Sequence, residues 1–295
     1  MNFEGIYTAL VTPFGENETG IDEKAYRKLI ERQIQAGIKG IVVAGSTGEG
    51  QTLTEAEWET ALKIAITYKD QIQILGSCGT SNTAETISRF KKLASLGADA
   101  ALISTPGYNK PPQRGLIEHY QKVAASAALP IMVYNIPGRT AVNLTPATIR
   151  ELWKISNVAS IKESSGNWDQ ILEIRKDLPE NKFLLSGDDP FNLPFFSIGA
   201  HGAVSVLSNI APKALVQMLA AFKKSDLKTA EKIQMQVHKL TQLLFVESNP
   251  IPVKWLVGQI LKQNLSPRLP LVKLDETHHS ALKREFDRLV ELQLV

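Results

Sequence analysis

The chain has 295 residues, 43% hydrophobic and 21% charged, with Lys+Arg 33 against Asp+Glu 30. That balance belongs to an ordinary globular protein and excludes disorder and collagen-like repeats. A net charge of +3, dispersed along the chain, is too even for a nucleic-acid footprint.

From the N-terminus, MNFEGIYTALVTPFGENETG lacks a basic stretch followed by an apolar one, and no run approaches 18 apolar residues, so neither a targeting segment nor a membrane span is expected. Cys78 is alone. A reducing, cytoplasmic location is the expectation, since one cysteine forms no internal disulfide.

Apolar, β-rich runs then recur: GIYTALV (5–11), GIVVAG (40–45), IQILGS (72–77), DAALIST (99–105), PIMVYN (130–135), VASIKE (158–163), FLLSG (183–187) and GAVSVL (202–207). They are nearly continuous in Val, Ile, Leu and Ala, which predicts burial on both faces and parallel pairing. Between them run helical periods, such as Trp58, Leu62, Ala65 and Ile66. Thr54 with Glu57 reads as a capping box, and Thr145 before Pro146 as a hydroxyl N-cap with proline at the first helical position. Eight strand–helix units predict an α/β fold, a (β/α)8 TIM barrel. A doubly wound sheet would want G-x-G-x-x-G after its first strand, and TPFGEN does not supply it. From about 211 onward only helical periods remain. We expect a barrel domain over 1–224 and a C-terminal all-helical extension over 225–295, whose apolar faces suggest oligomerisation.

Barrel active sites lie at the C-terminal ends of strands. Those ends carry Ser46 and Thr47 in AGSTGEG, Tyr108 in TPGYN, Tyr134 and Arg139 in YNIPGRT, Lys162 in SIKESS, Asp188 and Asp189 in SGDD, and Ser205 in GAVSVLS. The set is rich in hydroxyls and poor in metal ligands; the five histidines form no H-x-H or H-E-x-x-H pair. Lys162 closes a buried run. Desolvation there lowers an amine that ordinarily titrates near 10.4, leaving a nucleophile able to form a Schiff base with a carbonyl. As plain packing, the same lysine pairs with an acid or snorkels. Tyr134, Thr47 and Tyr108 offer hydroxyls for a proton relay, although each tyrosine also makes sense as an amphipathic core residue. Arg139 is placed to fork onto a substrate carboxylate, or to form a surface ion pair. Asp188 and Asp189 would repel a phosphate, which favours an unphosphorylated carboxylate substrate.

The blocks TALVTPF, AGSTGEGQTL, TPGYNKPPQ, YNIPGRT, SIKESSG, SGDD, GAVSVLSNIAP and SNPIPVK, in this order, resemble the dihydrodipicolinate synthase family of pyruvate-dependent aldolases over essentially the whole chain. The resemblance implies that Lys162 is the Schiff-base lysine and Tyr134 the proton-transferring phenol. Thr47 and Tyr108 complete the relay, Tyr108 coming from a neighbouring subunit. It also implies that Ser46 and Thr47 hold the pyruvate carboxylate, that Val204 lines the substrate site, and that Arg139 receives L-aspartate 4-semialdehyde. No metal or organic cofactor is implied. Family members are tetramers built as dimers of dimers, or dimers. Serine replaces the more usual threonine at Ser46. Where lysine-inhibited members place histidines and a tyrosine, this chain has Glu55, Trp58 and Gly107, so weak or absent lysine inhibition is expected. The rival readings are a lyase of the same superfamily acting on a sugar acid, and a non-catalytic barrel that binds keto acids.

Overall fold

The computed structural model describes residues 1–15 and 18–295. Among them, eight strands form in chain order: β1 (Gly5–Ala9), β2 (Gly40–Val43), β3 (Gln73–Ser77), β4 (Ala100–Ser104), β5 (Ile131–Asn135), β6 (Val158–Glu163), β7 (Phe183–Ser186) and β8 (Gly202–Ser205). Their hydrogen-bonded order follows the sequence and closes on itself as a (β/α)8 barrel, with parallel pairing. The expectation from the apolar runs is met, and β2, β5 and β8 are buried at every residue, as strands covered on both faces must be. No helix among the described residues is long and apolar enough to cross a membrane.

By internal contacts the chain forms two compact units. The first comprises Met1–Glu4 and Ile74–Val204. Its strand register is set by apolar residues: Val133 stands opposite Ile161 and Ile161 opposite Leu184. Helices Thr83–Leu96, Gln113–Ala124, Pro146–Trp153 and Trp168–Lys176 bury their apolar stripes within this unit, Ile149, Leu152 and Trp153 among them. Thr145 caps its helix as expected, accepting from the Thr148 amide. Cys78 is a small buried thiol, pushed up in pKa by that burial.

The second unit comprises Gly5–Gln73 and Ser205–Val295. The capping box of Thr54 and Glu57 forms at the start of helix Glu55–Ile66. Helix Pro212–Lys223 packs against β1 and against helix Leu227–Leu243, which in turn packs on helix His279–Glu291. The Ala214 amide donates to the Leu294 carbonyl at 3.2 Å.

This unit also contains a buried ion pair. Lys254, on helix Ile251–Leu261, meets Glu49 with both side chains at most 1% exposed. Burial lowers the Lys254 pKa to about 8, and Glu49 pulls it the other way. The second Glu49 oxygen accepts from the Arg268 amide at 2.8 Å, and the Arg268 guanidinium grips Glu57 with two hydrogen bonds. Lys254 Nζ also lies 3.8 Å from the centre of the Phe14 ring. Removing one partner of such a pair costs about 3–5 kcal/mol, because the survivor is left buried and uncompensated. Glu49→Gln should therefore shift the urea midpoint sharply downward, and the double variant Glu49→Gln/Lys254→Met should recover most of the loss.

Candidate active site

Lys162 lies in an uninterrupted buried segment of β6, Ser160–Ile161–Lys162–Glu163, one residue before its end. Because side chains alternate along a strand, Lys162 and Glu163 project to opposite faces. Parallel pairing puts Tyr134 of β5 directly beside Lys162, and Leu185 of β7 on its other side. The result is a close approach: Lys162 Nζ lies 4.0 Å from the centre of the Tyr134 ring. Lys162 is 5% exposed and Tyr134 6%.

A glycine leaves room for the lysine. A Cβ on Gly187 would come within 1.9 Å of Ser164 Oγ and 3.0 Å of both Lys162 Cγ and Cε. A side chain at that position would collide with Ser164 Oγ and crowd the lysine stem. Gly187 is held there by its amide, which donates to the Glu163 carbonyl at 2.9 Å. On the other face, the Glu163 carboxylate accepts from Asn135 Nδ2 at 3.0 Å and from the Ser165 amide at 2.7 Å. Asn135 also donates to Asn143 Oδ1 and accepts from the Leu144 amide, so the ends of β5 and β6 are stitched into one polar network. Burial raises the Glu163 pKa against these bonds.

The electrostatics follow from dryness. Burial is the largest influence on Lys162 and lowers its pKa to about 8; the carboxylates of Asp188 and Asp189 oppose this through space, and Arg139 adds to it. Burial also raises Tyr134 well above the ordinary phenol value, helped by Asp188 and resisted by Ser164 and Arg139. Asp188 is itself raised by burial, with Lys162 pulling down. At neutral pH the site holds a protonated phenol beside an amine with an accessible neutral form. Such a pair can deliver a nucleophile and a proton to one carbonyl.

The remaining predicted residues fall into two groups. In the first unit, Arg139 is exposed on the short helix Pro137–Thr140 that follows β5, a turn pinned by Thr105 Oγ1 on Thr140 Oγ1 at 3.0 Å. Val204 is buried on β8. Tyr108 is 96% exposed, its backbone in the left-handed region at φ 64°. Its loop is tethered by Ser81 Oγ, which donates to the Gly107 carbonyl at 3.1 Å. In the second unit, Ser46 is exposed and Thr47 buried, so the adjacent hydroxyls occupy unlike surroundings. Their loop is tightly folded: a Cβ on Gly50 would come within 2.0 Å of the Ala44 carbonyl oxygen. Thr12 Oγ1 donates to the Gly48 carbonyl at 2.7 Å, and Asn249 Nδ2 to Thr47 Oγ1 at 2.9 Å.

Sequence reasoning missed Ser164, Gly187 and Asn249. The glycine of SGDD was the available signal for one of them, a residue without a side chain directly before two acids.

Comparison with known proteins points one way. The family model described as Dihydrodipicolinate synthetase family matches residues 2–289. A 4-hydroxy-tetrahydrodipicolinate synthase of Maridesulfovibrio salexigens is 40% identical over 97% of this chain and 98% of its own. The solved 4-hydroxy-tetrahydrodipicolinate synthase of Methylacidiphilum fumariolicum SolV superposes with a TM-score of 0.94 at 36% identity, covering 98% of this chain and 97% of that one. A dihydrodipicolinate synthase of Acinetobacter baumannii, solved in complex with pyruvate, has the same TM-score and identity over 100% of both chains.

The depressed pKa of Lys162 has a direct readout. Modification by a small amine-reactive reagent should accelerate with rising pH through about 8 and then level off, whereas an ordinary surface lysine keeps gaining until about 10.4. Mass-spectrometric rates at Lys162 across pH 6–10, on the order of one point per half unit, provide the check.

Proposed function

Because the chain belongs to the dihydrodipicolinate synthetase family, we propose that it condenses pyruvate with L-aspartate 4-semialdehyde, forming 4-hydroxy-tetrahydrodipicolinate for lysine and diaminopimelate biosynthesis. The observation that carries the chemistry is the buried Lys162 amine 4.0 Å from the Tyr134 ring. In the proposed sequence the neutral amine adds to the pyruvate ketone and water leaves, giving an imine on Lys162. Loss of a methyl proton gives the enamine. Its terminal carbon attacks the aldehyde, whose oxygen takes up a proton. The amino group of the bound semialdehyde then attacks the imine carbon, closing the ring and releasing Lys162.

Tyr134 is the phenol that donates and recovers protons, with Thr47 and Tyr108 extending the relay. Ser46 and Thr47 hold the pyruvate carboxylate, Val204 lines the substrate site, and Arg139 receives the carboxylate of the semialdehyde. No cofactor takes part. Exposure of Arg139 suits a residue that meets the second substrate as it arrives. The 96% exposure of the Tyr108 side chain supports a role in a neighbouring copy, and hence a dimer or a tetramer of paired dimers. A cytoplasmic enzyme is consistent with this reading.

Borohydride reduction with pyruvate present tests the central step. The intact mass should gain one reduced pyruvate adduct mapped to Lys162, and Lys162→Ala should gain none; an adduct elsewhere, or faster turnover of a sugar acid than of the semialdehyde, overturns the assignment.

Weak lysine inhibition follows from the same residues. Trp58 is buried within its helix, and no histidine stands at Glu55 or Trp58 to meet a ligand. Lysine at several millimolar should leave steady-state turnover largely intact, and halving of the rate would contradict this.

A further inference from the structure

Asn249 takes no part in the chemistry set out above, yet its amide is spent on one of the proposed relay groups. Asn249 Nδ2 donates to Thr47 Oγ1 at 2.9 Å, across 202 positions of sequence. Both residues are nearly sealed from solvent, at 4% and 3% exposed. A buried amide is a costly way to fill space that an aliphatic side chain of similar size would fill for less, so its polar head calls for an explanation.

A hydroxyl has one hydrogen and two lone pairs. When an N–H occupies a lone pair of Thr47, the hydroxyl's own hydrogen is directed away from Asn249. Threonine is stiff at χ1, which leaves little other freedom in the group. We propose that Asn249 is a positioning residue that sets the direction in which Thr47 passes its proton. This rests on the reading of Thr47 as a relay hydroxyl and adds the group that orients it.

The surroundings of Asn249 support that role. Helix Ile251–Leu261 starts two residues beyond it, and the Ile251 amide donates to the Ser248 carbonyl at 2.9 Å, fixing the approach of the chain. One turn further, Lys254 meets Glu49, which lies two residues past Thr47 in the same loop. A single segment therefore holds one loop twice, through the hydroxyl and through the carboxylate. Glu49 has φ 53°, so the loop is also committed in its backbone. The ion pair fixes where the loop stands; the amide fixes which way its hydroxyl faces.

A double-mutant cycle on the full-length protein tests this. Asn249→Asp keeps the shape but replaces the N–H donor with an acceptor, which draws the Thr47 hydrogen back toward position 249. General acid–base groups contribute roughly 10²–10⁴ in rate, and misdirection should forfeit part of that, so kcat should fall roughly 10–100-fold with KM for pyruvate within about threefold. Asn249→Ala, which removes the donor without reversing it, should lose less. In a Thr47→Val background neither change should slow the enzyme further. Should Asn249→Asp fail to fold, Asn249→Ala carries the same cycle. Equal fold-losses in both backgrounds, a change confined to KM, or unchanged kcat would overturn the proposal. Failure of the parent reading looks different: the wild type would then give no pyruvate adduct on Lys162, or Thr47→Val alone would turn over at the wild-type rate.

Discussion

A primary amine in water keeps its proton to beyond pH 10, and a protonated amine attacks nothing. Everything proposed for this protein depends on weakening that hold, and the means is exclusion of water from Lys162. Dryness of this kind has to be built. It comes from a strand covered on both faces, from the Tyr134 ring over the nitrogen, and from a glycine at 187 that lets the backbone close against the lysine stem. The same exclusion keeps the phenol protonated. One cause therefore prepares a base and an acid side by side, where two separately tuned groups would need two environments.

The hydroxyls proposed as relay and carboxylate contacts in the second unit meet a different demand. Hydroxyls change little in charge state, so their usefulness depends on direction, and direction is lost easily when a loop is loose. The 44–50 loop is correspondingly overdetermined: a glycine packed onto the Ala44 carbonyl, the Thr12 hydroxyl on Gly48, and side chains of Asn249 and Lys254 from the far end of the chain. Buried ion pairs contribute little net stability once desolvation is counted. What the pair contributes here is a second tether between the 44–50 loop and helix Ile251–Leu261.

Much of the fold is legible in the sequence. The eight apolar runs fall on the eight strands, overshooting mainly at their C-terminal ends, as for 5–11 against Gly5–Ala9. Those overshoots are where strands give way to loops that carry the polar residues. The capping box at Thr54 was equally plain, because it is a local bargain struck within four residues. Lys162 stood out as a charge closing a hydrophobic run. What sequence did not reveal are contacts between distant partners: Asn249 with Thr47, Glu49 with Lys254, and the space that Gly187 leaves for Lys162. None of these has a period or a spacing. Each is decided by where the barrel delivers two side chains, and that is a property of closure rather than of any segment.

The standing of Tyr108 carries a practical corollary. Of the six tyrosines, Tyr7, Tyr26, Tyr120 and Tyr134 are sealed in the core, while Tyr108 offers almost its whole ring to solvent within a single chain. Nitration or iodination of the lone polypeptide would mark this ring ahead of its buried counterparts. A second copy resting over it would shield the ring from the same reagent. Under the proposed assembly the residue would thus double as a built-in reporter of association, one that needs no added dye and no foreign tag.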